Sequence, residues 1–155
     1  EEKGLLGSAW YTNHPVYPLD KTVCDLNIDM IGRVDEAHSN DSNFVYVIGS
    51  AMISKELKKI TEAANKKYSK LKLDYRFDDK NDPNMFYYRS DHYNFAKKGI
   101  PVAFFFNGVH ADYHKETDEV SKINFSLMEK RTRLVFHIAW ELANRDKRLK
   151  LNKKK

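Results

Sequence analysis

The sequence predicts an α/β fold, in which helices cover a β-sheet in the manner of a sandwich. Short apolar segments of strand length alternate along the chain with segments whose apolar residues recur at helical spacing. The most apolar segment, residues 100–106, is apolar on both faces, which is typical of an interior strand covered on two sides. A chain of 155 residues with 41% hydrophobic and 32% charged residues is long and apolar enough for one domain with a buried core.

The first elements are a short helix and a strand. Residues 4–11 form a helix or turn that ends before Pro15, because proline disfavours helix in the residue that precedes it. Residues 22–31 alternate loosely between apolar and polar side chains. This pattern predicts a strand that ends near Asp29, shortly before Gly32.

The middle of the chain predicts two strands around a helix. Residues 44–48 form a compact apolar strand, and residues 71–77 form the next strand, which is followed by a polar loop at 78–84. The helix between them begins at Ser54. Four of its residues recur at helical spacing: Leu57, Ile60, Ala64 and Tyr68.

The last third predicts two helices around the interior strand. Residues 91–98 form a short helix that ends at Gly99. A polar loop rich in aromatic residues and histidine, residues 107–119, follows the interior strand. A long helix then runs from Phe125 to about Leu149, with an apolar stripe along one face.

The formal net charge of +5 comes from the end of the chain. The last eleven residues, 145–155, hold seven Lys or Arg and one Asp, and the rest of the chain has a net charge of −1. A nucleic-acid-binding domain would spread basic residues over a face or a groove, so we expect no nucleic-acid partner. We expect residues 146–155 to form a frayed basic tail after a domain of residues 1–145.

Two further classes of protein are excluded. No apolar run approaches 18 residues, so we expect no membrane span. Cys24 is the only cysteine in the sequence, which excludes an internal disulfide framework and a zinc site of several cysteines.

Three polar clusters lie where an α/β sheet places its ligands, beyond the carboxyl ends of strands or next to them. They are Asp29, the pair Glu1 and Glu2, and the loop residues His110, Asp112, Tyr113 and His114. Carboxylate and imidazole groups suit zinc. Taken alone, each cluster is more typical of a cap, a turn or a solvated surface, so these residues indicate an α/β domain and leave the metal site open.

Five sequence blocks together resemble one family. Residues 1–8, 27–32, 88–96, 99–101 and 110–114 are similar, in order and in approximate separation, to those of the co-catalytic di-zinc aminopeptidases. Relatives of that family include glutaminyl cyclases and glutamate carboxypeptidases. The resemblance extends from Glu1 to about Arg145, and it implies a three-layer sandwich with a mixed central β-sheet flanked by helices. These residues would form the C-terminal part of that catalytic domain.

The resemblance implies the ligands of two zinc ions. Glu2 and His114 resemble the residues that share one zinc, and Asp29 resembles the aspartate that binds the other. Two zinc ions about 3.5–4 Å apart would hold one water between them and lower its pKa to about 7.

The resemblance also implies the catalytic residues. Glu1 resembles the general base that takes a proton from the metal-bound water, and Tyr113 resembles the tyrosine that stabilises the oxyanion. Asp91 and His92 match a block near the pocket and would support it. Residues 85–88 could line an apolar specificity pocket, although such aromatic residues are more typical of a core.

The same family takes a histidine and a bridging aspartate from a segment that precedes the glutamate pair. This sequence begins at the pair, and neither His14 nor His38 has the right context to replace them. We therefore expect the 155 residues of this sequence to be inactive alone and to need the N-terminal half of the same domain as a partner. That half would also cover the strand at 104–106, and without it we expect self-association through an exposed sheet edge.

The function that the resemblance implies is that of a zinc-dependent exopeptidase, which removes N-terminal residues from a peptide substrate. One alternative is a glutaminyl cyclase of the same fold, although cyclases tend to carry tryptophan where Tyr113 stands. Another is a non-catalytic binding domain that has lost its metals. The resemblance alone implies a secreted or periplasmic protein.

Overall fold

A computed structural model describes residues 3–153. Within this range the chain alternates between helices and strands, as the sequence predicts. The elements are α1 (Leu6–Asn13), β1 (Asp25–Ile28), β2 (Phe44–Ile48), α2 (Lys55–Ala64), β3 (Lys72–Asp74), α3 (His92–Lys97), β4 (Val102–Phe106) and α4 (Phe125–Ala143). No helix in residues 3–153 is both long and apolar enough to cross a membrane.

The four strands form one mixed sheet in the order β1-β4-β2-β3. β1 runs parallel to β4, β2 runs parallel to β3, and the central pair β4 and β2 is antiparallel. The sheet is therefore mixed, as expected. Because β1 and β4 are parallel, both reach the same edge of the sheet at their carboxyl ends.

The interior strand β4 is buried over its whole length, as its composition predicts. Phe105 packs in the core that α2 and α4 cover, and Phe104 and Phe106 pack on the opposite side in an aromatic cluster with Tyr46 and Phe86. The chain's own residues thus cover this strand. The expectation that a preceding segment is needed to cover it is wrong.

The long helix α4 is shorter than predicted. Its apolar stripe packs on the sheet through residues such as Leu134 and Ile138, but the helix ends at Ala143 and not near residue 149. Asn144 follows with non-helical backbone angles and donates its side-chain amide to the carbonyl of Trp140, at 2.8 Å. The backbone N–H of Asn144 donates to the same carbonyl at 3.1 Å, so Asn144 is the residue that caps the helix.

The third strand is also shorter than the segment 71–77 that the pattern predicts. Only Lys72–Asp74 pairs with β2. The Asp74 carboxylate accepts a hydrogen bond from the backbone N–H of Arg76 at 2.8 Å, and the N–H of Asp78 bonds to the carbonyl of Tyr75 at 2.9 Å. These turn contacts end the strand, because an aspartate side chain competes locally with sheet pairing.

Arg131 of α4 joins the helix to the segment that follows β1. Its side chain is buried, and its guanidinium donates to four backbone carbonyls, those of Ile31, Arg33, Ser42 and Phe44. Burial lowers the pKa of this guanidinium to about 10. A cation that satisfies four carbonyls fixes the path of residues 31–44 against the helix.

The C-terminal segment packs on the domain as far as Asn152, so the expectation of a frayed tail is wrong for these residues. Leu149 is buried in the core. The Ser54 hydroxyl donates to the carbonyl of Lys150 at 2.8 Å, and the side chain of Asn152 donates to the carbonyl of Ala51 at 2.9 Å. The segment therefore covers the N-terminal end of α2.

We expect Leu149→Ala to destabilise the protein by about 2–4 kcal/mol, because the truncation leaves a cavity where a side chain that is only 7% exposed now packs. Leu151→Ala is the matched control, since Leu151 is 54% exposed and its truncation should cost less than about 0.5 kcal/mol. Urea unfolding measures both changes. Equal effects of the two substitutions would contradict a packed C-terminal segment.

A carboxyl group lies at the start of β1 in an apolar setting. Burial, and to a smaller extent the nearby charge of Asp91, raises the pKa of Asp25 to about 7. One oxygen of this carboxyl group is buried without a hydrogen-bond partner among the described residues. Ionisation of Asp25 therefore opposes folding.

A pH dependence of stability follows from this group. Below about pH 4 the Asp25 carboxyl is protonated in both the folded and the unfolded protein. Between pH 4 and 7 it is ionised in the unfolded chain but still protonated in the folded one, so the free energy of unfolding falls as the pH rises. We expect the free energy of unfolding of Asp25→Asn, relative to that of the wild type, to rise by about 2 kcal/mol between pH 4 and pH 8. Denaturant unfolding across this range measures the gain, and a difference that does not change with pH would contradict it.

Candidate active site

A cavity of about 610 Å³ opens at the edge of the sheet where β1 and β4 end. Three parts of the chain line it besides the end of β1: the start of α1, residues 89–91 and the loop at 107–119. The lining residues include Gly4, Leu5, Asn27, Asp29, Met30, Arg89, Ser90, Asp91, Tyr113, His114 and Asp118. The predicted zinc ligands Asp29 and His114 and the predicted oxyanion donor Tyr113 thus share one cavity.

Asp29 is held at the end of β1 by backbone and side-chain contacts. Its N–H bonds to the carbonyl of Phe105 in β4 at 3.1 Å, which extends the parallel pairing by one residue. Ser90 donates its hydroxyl to Oδ2 of Asp29 at 2.9 Å, and the amide of Asn27 donates to Ser90 Oγ at 2.8 Å. This chain of hydrogen bonds orients the carboxylate.

Sequence reasoning missed Asn27 and Ser90. A signal was present for each: Asn27 lies two residues before Asp29 and hence on the same face of the strand, and Ser90 lies in the block at 88–96. Their contact spans 63 residues of sequence, so no local pattern could show it.

The backbone is strained next to the candidate ligands. His114 has φ of 55°, and Met30, the residue after Asp29, has φ of 59°. Both values lie in the left-handed region, which residues other than glycine rarely adopt. The rings of Tyr113 and His114 stack with their centroids 3.8 Å apart. Such strain of about 1–3 kcal/mol persists where the surrounding structure fixes it, often at functional sites.

Ion pairs fix the loop that carries Tyr113 and His114. Arg33 donates to Asp112 at 2.7 Å and to Asp118 at 3.0 Å, and Lys122 donates to Asp112 at 2.7 Å. Hydrogen bonds from Arg33, Lys122 and Thr117 hold the pKa of the Asp112 carboxyl well below its usual range. Asp112, one of the polar loop residues considered as part of a possible metal cluster, therefore serves to anchor the loop.

His110 also faces this network and not the cavity. Its Nε2 lies 3.7 Å from Oδ2 of Asp118. Burial, and next the charge of Arg33, lowers the pKa of its imidazole. It does not line the candidate site.

The two supporting residues lie in different surroundings. Asp91 lines the cavity and accepts a short hydrogen bond from the hydroxyl of Ser8 in α1. His92 lies behind the cavity in the aromatic cluster, with its ring stacked on Phe104 at 4.6 Å. Burial lowers the pKa of His92 to about 4, so this imidazole is neutral at pH 7.

Glu1 and Glu2, the predicted base and zinc ligand, lie outside the described residues. Of the residues that follow them, Gly4 and Leu5 line the same cavity as Asp29.

Asp29 and His114 fit zinc by their chemistry, because a carboxylate and an imidazole are common zinc ligands and both line one cavity. The described part of the chain contains no group of three or more His, Cys, Asp or Glu side chains arranged to hold a metal ion. Asp29 and His114 would therefore be at most part of a zinc ligand set.

The comparisons with known proteins agree with the fold. Residues 1–139 match the sequence profile of Peptidase family M28. The structure is similar to BSAP, a zinc aminopeptidase from Bacillus subtilis, with a TM-score of 0.68 and 23% identity over 89% of this chain and 32% of that one. It is also similar to the LapA aminopeptidase of Legionella pneumophila, with a TM-score of 0.71 and 22% identity over 94% of this chain and 38% of LapA.

A third similar structure is an aminopeptidase from Aneurinibacillus sp. strain AM-1, with a TM-score of 0.65 and 21% identity over 99% of this chain and 34% of that one. The chain thus spans about a third of the length of these aminopeptidases. A comparison with curated proteins found no match.

We expect Ser90→Ala to weaken zinc binding by the full-length protein about 10–100-fold, because the hydroxyl orients the Asp29 carboxylate. Competition with a chelator measures the affinity. Ser126→Ala, at an exposed position of α4, is the control and should leave the affinity unchanged. An unchanged affinity in Ser90→Ala would show that Asp29 does not depend on this hydrogen bond.

Proposed function

The chain belongs to Peptidase family M28, and from this membership we propose that it is part of a zinc-dependent aminopeptidase, which hydrolyses N-terminal peptide bonds with a metal-activated water. The observation that carries the proposal is the meeting of Asp29, Tyr113 and His114 at one cavity. These residues come from two distant parts of the sequence, and each matches a residue that the family resemblance marks. The similar structures described above are those of aminopeptidases.

The chain's own residues would act as follows. Asp29 and His114 would hold zinc, which would act as a Lewis acid that activates water. Ser90 keeps the Asp29 carboxylate in one orientation through its hydroxyl. Tyr113 donates a hydrogen bond to the oxyanion that develops on the scissile carbonyl, because a phenol donates without competing for metal.

Two further roles rest on the family resemblance. Glu2 would share one zinc with His114, and Glu1 would take the proton from the attacking water and return it to the leaving amine. The site would bind two zinc ions, since the resemblance is to co-catalytic enzymes.

We assign the activity to a longer protein and expect these 155 residues alone to be inactive. The chain spans about a third of the aminopeptidases that it matches. The resemblance calls for a histidine and a bridging aspartate from the N-terminal half of the same domain. β1 lies at one end of the strand order and can accept a further strand along its outer edge. Produced without that half, the chain should self-associate along this edge.

A glutaminyl cyclase of the same fold is the second candidate, and a domain that has lost its metals is the third. Tyr113 favours hydrolysis over cyclisation, since the cyclases tend to carry tryptophan at this place. The set of Asp29, Tyr113 and His114 at one cavity favours a metal-binding protein over a decayed one.

The proposed partner is thus a peptide, and not a nucleic acid. Two basic residues of the C-terminal segment support this, because their side chains have partners in the domain. Arg145 pairs with Glu56 at 2.5 Å, and Arg148 donates to the carbonyls of Asp20 and Thr22. We also propose that the protein is secreted or periplasmic, on the family resemblance; cell fractionation tests this.

We expect the full-length protein with zinc to hydrolyse leucine p-nitroanilide, and Tyr113→Phe to lower kcat about 100–1000-fold through loss of the oxyanion donor. Tyr17→Phe is the control, since Tyr17 is 72% exposed and does not line the cavity, so its hydroxyl should have no effect. Release of p-nitroaniline measures the rate.

Two further measurements on the full-length protein, cyclisation of a glutamine peptide and zinc binding, separate the three candidate functions. Cyclisation of a peptide with N-terminal glutamine, without hydrolysis of the anilide, would favour the cyclase. A full-length protein that binds no zinc would favour the non-catalytic domain. Full activity of Tyr113→Phe would remove Tyr113 from the mechanism.

A further inference from the structure

Arg89 places a positive charge at the candidate active site that no role described so far uses. It follows a 3-10 turn at Phe86–Tyr88, and its side chain is exposed. It lines the main cavity and also a smaller cleft of about 30 Å³. Asp29 and Tyr113 line the same cleft, together with apolar residues of the aromatic cluster.

The structure holds this guanidinium in place through neutral groups. One N–H of Arg89 donates to the carbonyl of Asn84 at 3.3 Å, and the guanidinium lies 5.2 Å from the ring centroid of Phe86. Both contacts orient the side chain, because a planar guanidinium packs well on an aromatic face. Neither contact neutralises its charge.

The carboxylates of the cavity wall have other partners. Asp118 pairs with Arg33 at 3.0 Å, Asp91 accepts from Ser8, and Asp29 accepts from Ser90 at 2.9 Å. In residues 3–153 no carboxylate lies within ion-pair distance of Arg89. Arg89 is thus a cation at the wall of the cavity that forms no ion pair within residues 3–153.

We propose that Arg89 binds a carboxylate of the peptide substrate. The inference rests on the proposed aminopeptidase function and names the substrate class for that site. A guanidinium binds a carboxylate through two parallel hydrogen bonds, which are stronger than hydrogen bonds between neutral groups. The carboxylate is either the side chain of an acidic first residue or the C-terminus of a short peptide. Arg89 is therefore a specificity residue and takes no part in proton transfer.

The test compares two pairs of substrates of similar shape with the full-length zinc-loaded protein. Aspartyl and asparaginyl p-nitroanilides differ in a side-chain carboxylate, and Leu-Gly and Leu-Gly-amide differ in the C-terminal carboxylate. We expect the wild type to prefer the carboxylate member of one pair by about 10–100-fold in kcat/KM, which is the range of a charge-assisted hydrogen bond. Arg89→Gln should reduce that ratio to about 1, and Arg89→Lys should keep part of it.

Arg133→Gln is the matched control, because Arg133 is exposed on α4 and pairs only with Glu129 among the described residues. It should leave both ratios as in the wild type. A ratio that falls only for the aspartyl pair identifies the acidic first residue, and one that falls only for the dipeptide pair identifies the C-terminus. Ratios that are the same in wild type and Arg89→Gln would overturn the inference and leave the aminopeptidase proposal standing.

If no substrate is hydrolysed, the proposed function fails and Arg89 is tested by binding. Equilibrium titration of Asp-Leu against Asn-Leu, and of Leu-Gly against its amide, gives the same two ratios without turnover. Weaker binding of one carboxylate peptide to Arg89→Gln than to the wild type would support the inference. Equal affinities in both proteins would overturn it.

Discussion

The parallel pairing of β1 with β4 is the constraint on which the candidate site depends. The register sets Ile28 beside Phe105, and the N–H of Asp29 continues the pairing to the Phe105 carbonyl. Parallel strands end at the same edge of a sheet, so this pairing brings Asp29 to the loop that carries Tyr113 and His114. A slip of one residue would turn the Asp29 side chain to the opposite face and away from the cavity.

The groups around the site keep those residues in place in two different ways. Asn27 and Ser90 hold the Asp29 carboxylate through a chain of neutral hydrogen bonds. The loop is held instead by charges, since Arg33 joins Asp112 and Asp118 across its base. Arg131 of α4 donates to the backbone carbonyl of Arg33, and this hydrogen bond connects the ion pairs of the loop to the helix. A rigid frame of this kind allows strained backbone to persist at Met30 and His114.

The sequence predicts most of the elements because their signals are local. The strand at Phe44–Ile48 has the predicted bounds, and α2 begins after Ser54 as expected. Where a predicted boundary is wrong, a side-chain contact sets the observed one. α4 ends early at an asparagine cap, and the basic segment packs because Leu149 enters the core.

Of the site, the sequence selects Asp29, Tyr113 and His114 through the family resemblance. It does not show contacts such as that of Asn27 with Ser90, which join distant parts of the chain. The composition of the loop at 107–119 shows that Asp112 is polar. It does not predict the ion pair of Asp112 with Arg33, because the two residues lie far apart in the sequence.

The most direct test of this account is the position of zinc in crystals of the full-length protein, located from its anomalous scattering. We expect zinc in the cavity at the ends of β1 and β4, with a carboxylate oxygen of Asp29 and an imidazole nitrogen of His114 at about 2.0–2.2 Å from metal. Zinc bound elsewhere, with these two side chains outside its coordination shell, would contradict the account.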